Sequence, residues 1–238
     1  MSFEKRFTNN YYAKKIAKEA LKIKAIKLQP DNPFPWASGY RMPIYNDNRM
    51  FLFFPECRNL ITDALEEIMQ SENIPYEIIA GTSTAGIPLG VSLANKLDCP
   101  FIYIRDKPKD HGLKNQIEGI DAERDLDGGL VVVIEDLISR GGSSAKAVQT
   151  VRDANGKCNY CLSIFNYGLD AAVEVFNSLT PKCNVKSILS YDILLNIAKE
   201  DGYLTDVQIK VLEEWREDPS SWGEKHGFPK VNVCREES

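Results

Sequence analysis

Apolar and polar positions follow two rhythms along this chain. From Phe3 to Leu28 apolar residues recur at helical spacing among lysines, which predicts an amphipathic N-terminal helix whose lysines form its solvated face. The same period predicts helices over 57–73, 87–97, 141–156 (closed by Gly156) and 170–179, and two further helical segments at Tyr191–Lys199 and Thr205–Trp215 before an end containing Pro and Gly. Short apolar runs predict strands: "YEIIAGTSTAG" entering a turn, "PFIYIR", "GGLVVVIED", "KCNYCLSIFNYG" and "VKSILS". Two stretches break the rhythm. Residues 29–50 are rich in Pro, Asn and Gly and predict loop, with a short strand at Met42–Tyr45; residues 106–119 are polar and aperiodic. Strands alternating with helices predict βαβ units around a mainly parallel sheet.

The run Val131, Val132, Val133, Ile134 is apolar without alternation, so it predicts a central strand buried on both faces. Ligands of open α/β sheets bind beyond the carboxyl ends of the strands. There the chain sets two carboxylates, Glu135 and Asp136, then "LISRGGSS", which opens a helix. Backbone N–H groups at a helix start, freed by Gly141 and Gly142, make an anion site, and Ser139, Ser143 and Ser144 add hydroxyl donors. An anion beside two carboxylates is repelled unless something lies between them. A sugar diol fits, since its hydroxyls donate to carboxylates; a divalent cation fits as well. The ligand shape implied is a phosphate at one end and a ribose-like diol in the middle. The plain alternative is a strand, loop and helix with surface acids. A Walker A loop is excluded because the G-K-[ST] ending is missing, and no G-x-G-x-x-G occurs here.

Composition narrows the classes. The 238 residues suit one large domain, expected over 1–238, and need no disulfide or metal staple. The net charge of −5 argues against a general nucleic-acid binder, and no apolar run spans a bilayer, so no membrane partner is expected. The N-terminus lacks a secretory apolar region, so the six cysteines are expected as reduced thiols in the cytoplasm. Cys158 and Cys161 spell C-x-x-C, but on a strand residues three apart point to opposite faces, which argues for incidental burial rather than a metal or redox site. "GTSTAG" approaches a nucleophile elbow, yet Ala85 fills its last glycine position, and only His111 and His226 could act as base. His226 is expected to be solvent-exposed and inert.

"VVVIEDLISRGGSS" resembles the phosphoribosyl-pyrophosphate-binding motif of type I phosphoribosyltransferases. The resemblance implies that Glu135 and Asp136 hold the ribose 2′ and 3′ hydroxyls while Leu137, Ile138, Ser139, Arg140, Gly141, Gly142 and Ser143 cradle the 5′-phosphate. A second stretch, "IRDKPKDHGLKNQIEG", sets Arg105, Lys107, Lys109 and His111 on alternate residues, hence on one face if extended; by charge pattern alone it could equally be a solvated loop. It is similar to the catalytic loop R-x-x-x-K-x-H-G of orotate phosphoribosyltransferases, matched at Arg105, Lys109, His111 and Gly112, although Asp106 stands where many members carry Lys. "WASGYRMPIYNDNR" resembles the family's N-terminal segment near the base, and "IAGTSTAGIPLG" its second ligand loop. Lysines that some members use fall at Ala37 and Ala85 here, and the arginine that some use on the orotate carboxylate is not evident near "IFNYG".

The resemblance implies the type I phosphoribosyltransferase fold: a mainly parallel sheet flanked by helices over 51–190, an N-terminal helix and hood segment over 1–50, and a C-terminal helical tail over 191–238. It implies transfer of a phosphoribosyl group to orotate, with Lys109, His111 and Asp136 catalytic and Ser139 touching orotate. Mg2+ would ride mainly on the substrate pyrophosphate, with no dedicated protein metal site. A homodimer sharing the catalytic loop across subunits is expected. Other readings left open are a purine or uracil phosphoribosyltransferase, a non-catalytic nucleotide-sensing relative and, disfavoured by its missing glycine fingerprint, a Rossmann-type oxidoreductase.

Overall fold

In the computed structural model, residues 10–36, 38–107, 116–121 and 124–231 are described. Helix α1 (Asn10–Lys22) leads into β1 (Ile26–Leu28). Short strands β2 (Phe34–Pro35), β3 (Arg41–Met42) and β4 (Ile44–Asn46) follow, then a 3-10 helix, Asn48–Phe53. The core runs α2 (Pro55–Ser71), β5 (Ile78–Thr82), α3 (Gly86–Leu97), β6 (Phe101–Ile104), β7 (Ile117–Glu118), β8 (Leu130–Ile138), α4 (Gly142–Asp153), β9 (Lys157–Asn166), α5 (Asp170–Ser178) and β10 (Asn184–Ser190). The tail carries α6 (Tyr191–Glu200), α7 (Asp206–Glu217) and α8 (Trp222–Lys225).

The main sheet has the order β10-β9-β8-β5-β6-β7 and is parallel except for β6 against β7. As the unbroken apolar run predicts, β8 is central and covered on both sides. Val132 and Ile134 pack into a core with α1, α2, α3 and α6, and Val131 and Val133 into a second core with α4 and α5. Each such side chain contributes about 1.5–3 kcal/mol by leaving water. Helix starts are marked locally: Pro55 opens α2, the Ser190 hydroxyl accepts from Ile193 N–H, and Thr205 with Gln208 forms a capping box on α7.

Four expectations are corrected. The N-terminal helix stops at Lys22; Lys24 takes a positive φ of 61°, and Ile26–Leu28 pairs antiparallel with Ile44–Asn46. The strand expected at Met42–Tyr45 divides at Pro43 between two small sheets. Ile117 and Glu118 form an edge strand inside a stretch read as aperiodic, too short to show a period. Cys158 and Cys161 share one core rather than facing apart, because a β-bulge opposite Val131 and Val132 inserts one residue between them. Both are free thiols with no exposed surface.

Candidate functional site

The sheet reverses its order of winding between β5 and β8. From β5 the chain crosses through α3 to β6 on one side; from β8 it crosses through α4 to β9 on the other. Such a reversal leaves a crevice at the carboxyl ends of the two strands. Thr82 ends β5, and Glu135 and Asp136 lie near the end of β8, beside it.

Thr82 Oγ1 lies 2.8 Å from Glu135 Oε1 and donates to it, and Ser144 Oγ donates to Glu135 Oε2 at 3.1 Å. The Asp136 N–H donates to Glu135 Oε1 at 3.0 Å, and Asn48 Nδ2 donates to the Asp136 carbonyl at 2.7 Å. Glu135 is 8% exposed. Its burial first, and the Asp136 charge second, push its carboxyl up to about 7, against the opposing pull of the Thr82 hydroxyl. Burial likewise raises Asp136 from its ordinary value, against the lowering pull of its hydrogen bonds. Two partly desolvated acids side by side are costly, and hydroxyl donors or a cation placed against them relieve that cost.

The acids wall a cavity of about 720 Å3. Its floor includes Leu137, Ser139, Arg140, Gly141, Gly142 and Ser143, and its rim Ser83, Arg105, Asp106 and Lys146. Gly141 takes φ +77°, and a Cβ there would lie 3.2 Å from Ala172 Cα and the Phe176 ring, so glycine alone suits this turn. The turn delivers α4, whose first-turn N–H groups have no partner within the helix and so are open to an anion.

The structure thus brings together Arg105, Glu135, Asp136, Leu137, Ser139, Arg140, Gly141, Gly142 and Ser143 on one cavity. Ile138 does not line this cavity: its side chain is 1% exposed in the second core, and its carbonyl accepts from Tyr167 N–H at 3.1 Å. The Ser144 hydroxyl, expected on the anion, serves Glu135. Lys109 and His111, with Gly112, lie outside the described residues. Arg105 reaches Glu118 at 3.3 Å. His226 is not free in solvent; it sits 3.1 Å from Glu214 and stacks on Trp222.

Thr82, Asn48 and Lys146 escaped sequence reasoning as site residues. Thr82 stands in a segment that resembled a ligand loop, and Lys146 directly follows the anion loop in α4. Asn48 carries no signal, since its contact depends on the fold of the 3-10 helix against β8. A second cavity of about 400 Å3 adjoins the loop, between Trp36, Ser38 and Tyr40 of the hood and Trp215–Ser220 of the tail, again with Ser139 and Arg140 in its wall.

The phosphoribosyl transferase domain family matches residues 52–193. The orotate phosphoribosyltransferase of Cytophaga hutchinsonii is 42% identical over 211 residues, which is 89% of this chain and 98% of that one. Among solved structures, orotate phosphoribosyltransferase from Aeropyrum pernix superposes with a TM-score of 0.65 at 25% identity, covering 80% of this chain and 99% of that one. Leishmania donovani UMP synthase gives a TM-score of 0.69 at 21% identity over 87% of this chain; the chain spans 43% of that protein, and the likeness is one of fold. On the domain match over residues 52–193 and the 42% identity over nearly the whole of a curated relative, the chain belongs to the phosphoribosyltransferase family, among its orotate phosphoribosyltransferases, and has that family's α/β fold.

Proposed function

We propose that the protein transfers the phosphoribosyl group of 5-phosphoribosyl 1-pyrophosphate to N1 of orotate, giving orotidine 5′-monophosphate and pyrophosphate on the route to UMP. The observation that carries this reading is the shared cavity: two raised-pKa carboxylates and a glycine-bent helix start face one space large enough for a sugar bisphosphate. The 5′-phosphate sits on the loop from Leu137 to Ser143 and the diol against Glu135 and Asp136. Chain 1–238 acts as one unit of hood, core and tail.

In the transfer, the bond from C1′ to the pyrophosphate oxygen breaks, with its electron pair leaving on pyrophosphate, and a bond from C1′ to N1 forms. Positive charge builds on the ribose ring as the bond loosens. Asp136, beneath the ribose, steadies that charge, and Arg105, Lys109 and His111 neutralise the leaving group, an electrostatic task. His111 is suited to give a proton to the departing oxygen, since imidazole titrates near neutrality. Orotate is already an anion, so no strong base is needed; Ser139 touches it from the loop between the two cavities.

The hard carboxylate oxygens of Glu135 and Asp136 in the cavity wall fit Mg2+ carried in on the substrate pyrophosphate. When bound, the ion offsets charge on the leaving group. Closure of the Arg105–Gly112 segment over the site of a neighbouring subunit would exclude water, and a homodimer in the cytoplasm is the corresponding assembly.

The test mixes purified protein, Mg2+ and phosphoribosyl pyrophosphate with orotate, uracil or hypoxanthine and follows ultraviolet absorbance. Orotate is expected to be consumed fastest. Preference for hypoxanthine or uracil, or no consumption of any base, would overturn the reading.

A further inference from the structure

The two cavities meet at Ser139 and Arg140, which line both. We propose that Arg140 is the specificity residue that reads the carboxylate of the pyrimidine, held in the second cavity. The inference deepens the functional reading above and rests on it.

Charge in the second cavity singles out this residue. Its lining holds two cations, Arg140 and Arg216, and three acids, Asp170, Glu217 and Asp218. Arg216 is committed: it forms an ion pair with Asp192 and lies over the Tyr191 ring at 5.6 Å. Asp218 is held by Ser221 and Lys225. Arg140 is exposed and makes no hydrogen bond or ion pair with any other described residue. Guanidinium is a planar fork matched to a planar carboxylate, and a ring carboxylate is the one anionic group that separates orotate from a plain pyrimidine. Asp170 and Glu217 repel that carboxylate from the rest of the wall, so attraction and repulsion set the same orientation.

The phosphate cradle does not need the guanidinium. Its donors are the free amides at the start of α4 and the Ser143 hydroxyl. Arg140 immediately precedes the left-handed Gly141, at the outer corner of the loop, where its side chain borders the sugar-phosphate cavity on one side and the hood cavity on the other.

The test uses the full chain and two nucleotides that share ribose 5′-phosphate and differ only in the carboxylate, orotidine 5′-monophosphate and UMP. Dissociation constants are measured by calorimetry for wild type, Arg140→Ala and Arg140→Lys, beside turnover of orotate. Wild type is expected to prefer orotidine monophosphate. Arg140→Ala should weaken it about 10- to 100-fold, the loss of a charge-assisted contact, while UMP changes less than about threefold. Arg140→Lys keeps the charge without the fork and should fall between. Equal weakening of both nucleotides by Arg140→Ala would make Arg140 a phosphate ligand and overturn the inference, as would an unchanged preference. A wild type that turns over another base but not orotate overturns the functional reading beneath it, a result visible before any variant is made.

Discussion

The Thr82 hydroxyl, at the end of β5, donates to the Glu135 carboxylate on β8 across 2.8 Å. The bond joins the two strands where the sheet reverses its winding, and it ties one member of the acid pair to the rigid centre of the fold. Glu135 is further held by Ser144, from the helix that follows the anion loop. The acid pair and the glycine loop are thereby one mechanical unit.

Removing the hydroxyl without changing shape tests that link. Thr82→Val should destabilise the protein by about 1–2 kcal/mol, the usual cost of leaving a buried polar group short of a partner. Because the hydroxyl opposes the rise of the Glu135 pKa, the variant should also raise it further. Thermal unfolding at pH 8 reads the first effect. Weaker binding of phosphoribosyl pyrophosphate, by calorimetry, reads the second.

The raised Glu135 carboxyl makes stability depend on pH. In the folded protein it titrates near 7, above its model-peptide range, so between about pH 4.5 and 7 the folded state binds more protons than the unfolded one. Stability from this group is therefore greatest at low pH and declines as pH rises through 7. Glu135→Gln keeps the shape and removes the titration. Without ligand, it should be more stable than wild type at pH 8 by up to about 3 kcal/mol, each pK unit being worth about 1.4 kcal/mol. The gap should close towards pH 5. Denaturant unfolding at the two pH values measures it; a gap that widens at pH 5 contradicts the sign.

Much of this was legible in the sequence. The run Val131–Ile134 declared a two-faced central strand, and Glu135, Asp136 and Gly141 stand on a cavity at its end as their order in the chain implies, because burial and turn geometry act on adjacent residues. What escaped depends on distant contacts. Asn48 reaches the Asp136 carbonyl from 88 residues away, and the bulge that turns Cys158 to the side of Cys161 is a matter of pairing with β8. Ile138 was read as part of the loop, yet the strand runs on to it and buries its side chain. A strand's last residue is set by its neighbour strand, here through Asn166, and leaves no local mark.

The bend at Gly141 gives a backbone test. Gly141→Ala places a side chain at φ +77° and against Ala172 and Phe176. It should cost about 1–2 kcal/mol through left-handed strain and lower affinity for phosphoribosyl pyrophosphate more than tenfold, as the start of α4 shifts. Unchanged affinity in a folded variant would detach the loop from phosphate binding.

The tail meets the hood at Gly39 as well as through Trp215 and Met42. Val231 N–H donates to the Gly39 carbonyl at 3.0 Å, and a Cβ on Gly39 (φ +80°) would fall 2.6 Å from the Val231 carbonyl oxygen. Lys230 lies over the Tyr40 ring at 3.7 Å. Gly39→Ala should push the tail off the hood, which walls the second cavity. The expected result is an increased KM for orotate with the KM for phosphoribosyl pyrophosphate unchanged, read by steady-state kinetics.

The grip of the twin acids on the sugar is tested most directly by a crystal structure with phosphoribosyl pyrophosphate and Mg2+ bound. The expected map has the ribose 2′ and 3′ hydroxyls within about 3 Å of the Glu135 and Asp136 carboxylates and the 5′-phosphate on the amides of Gly141–Ser144. A pentose bound elsewhere, or acids turned away from it, contradicts the account.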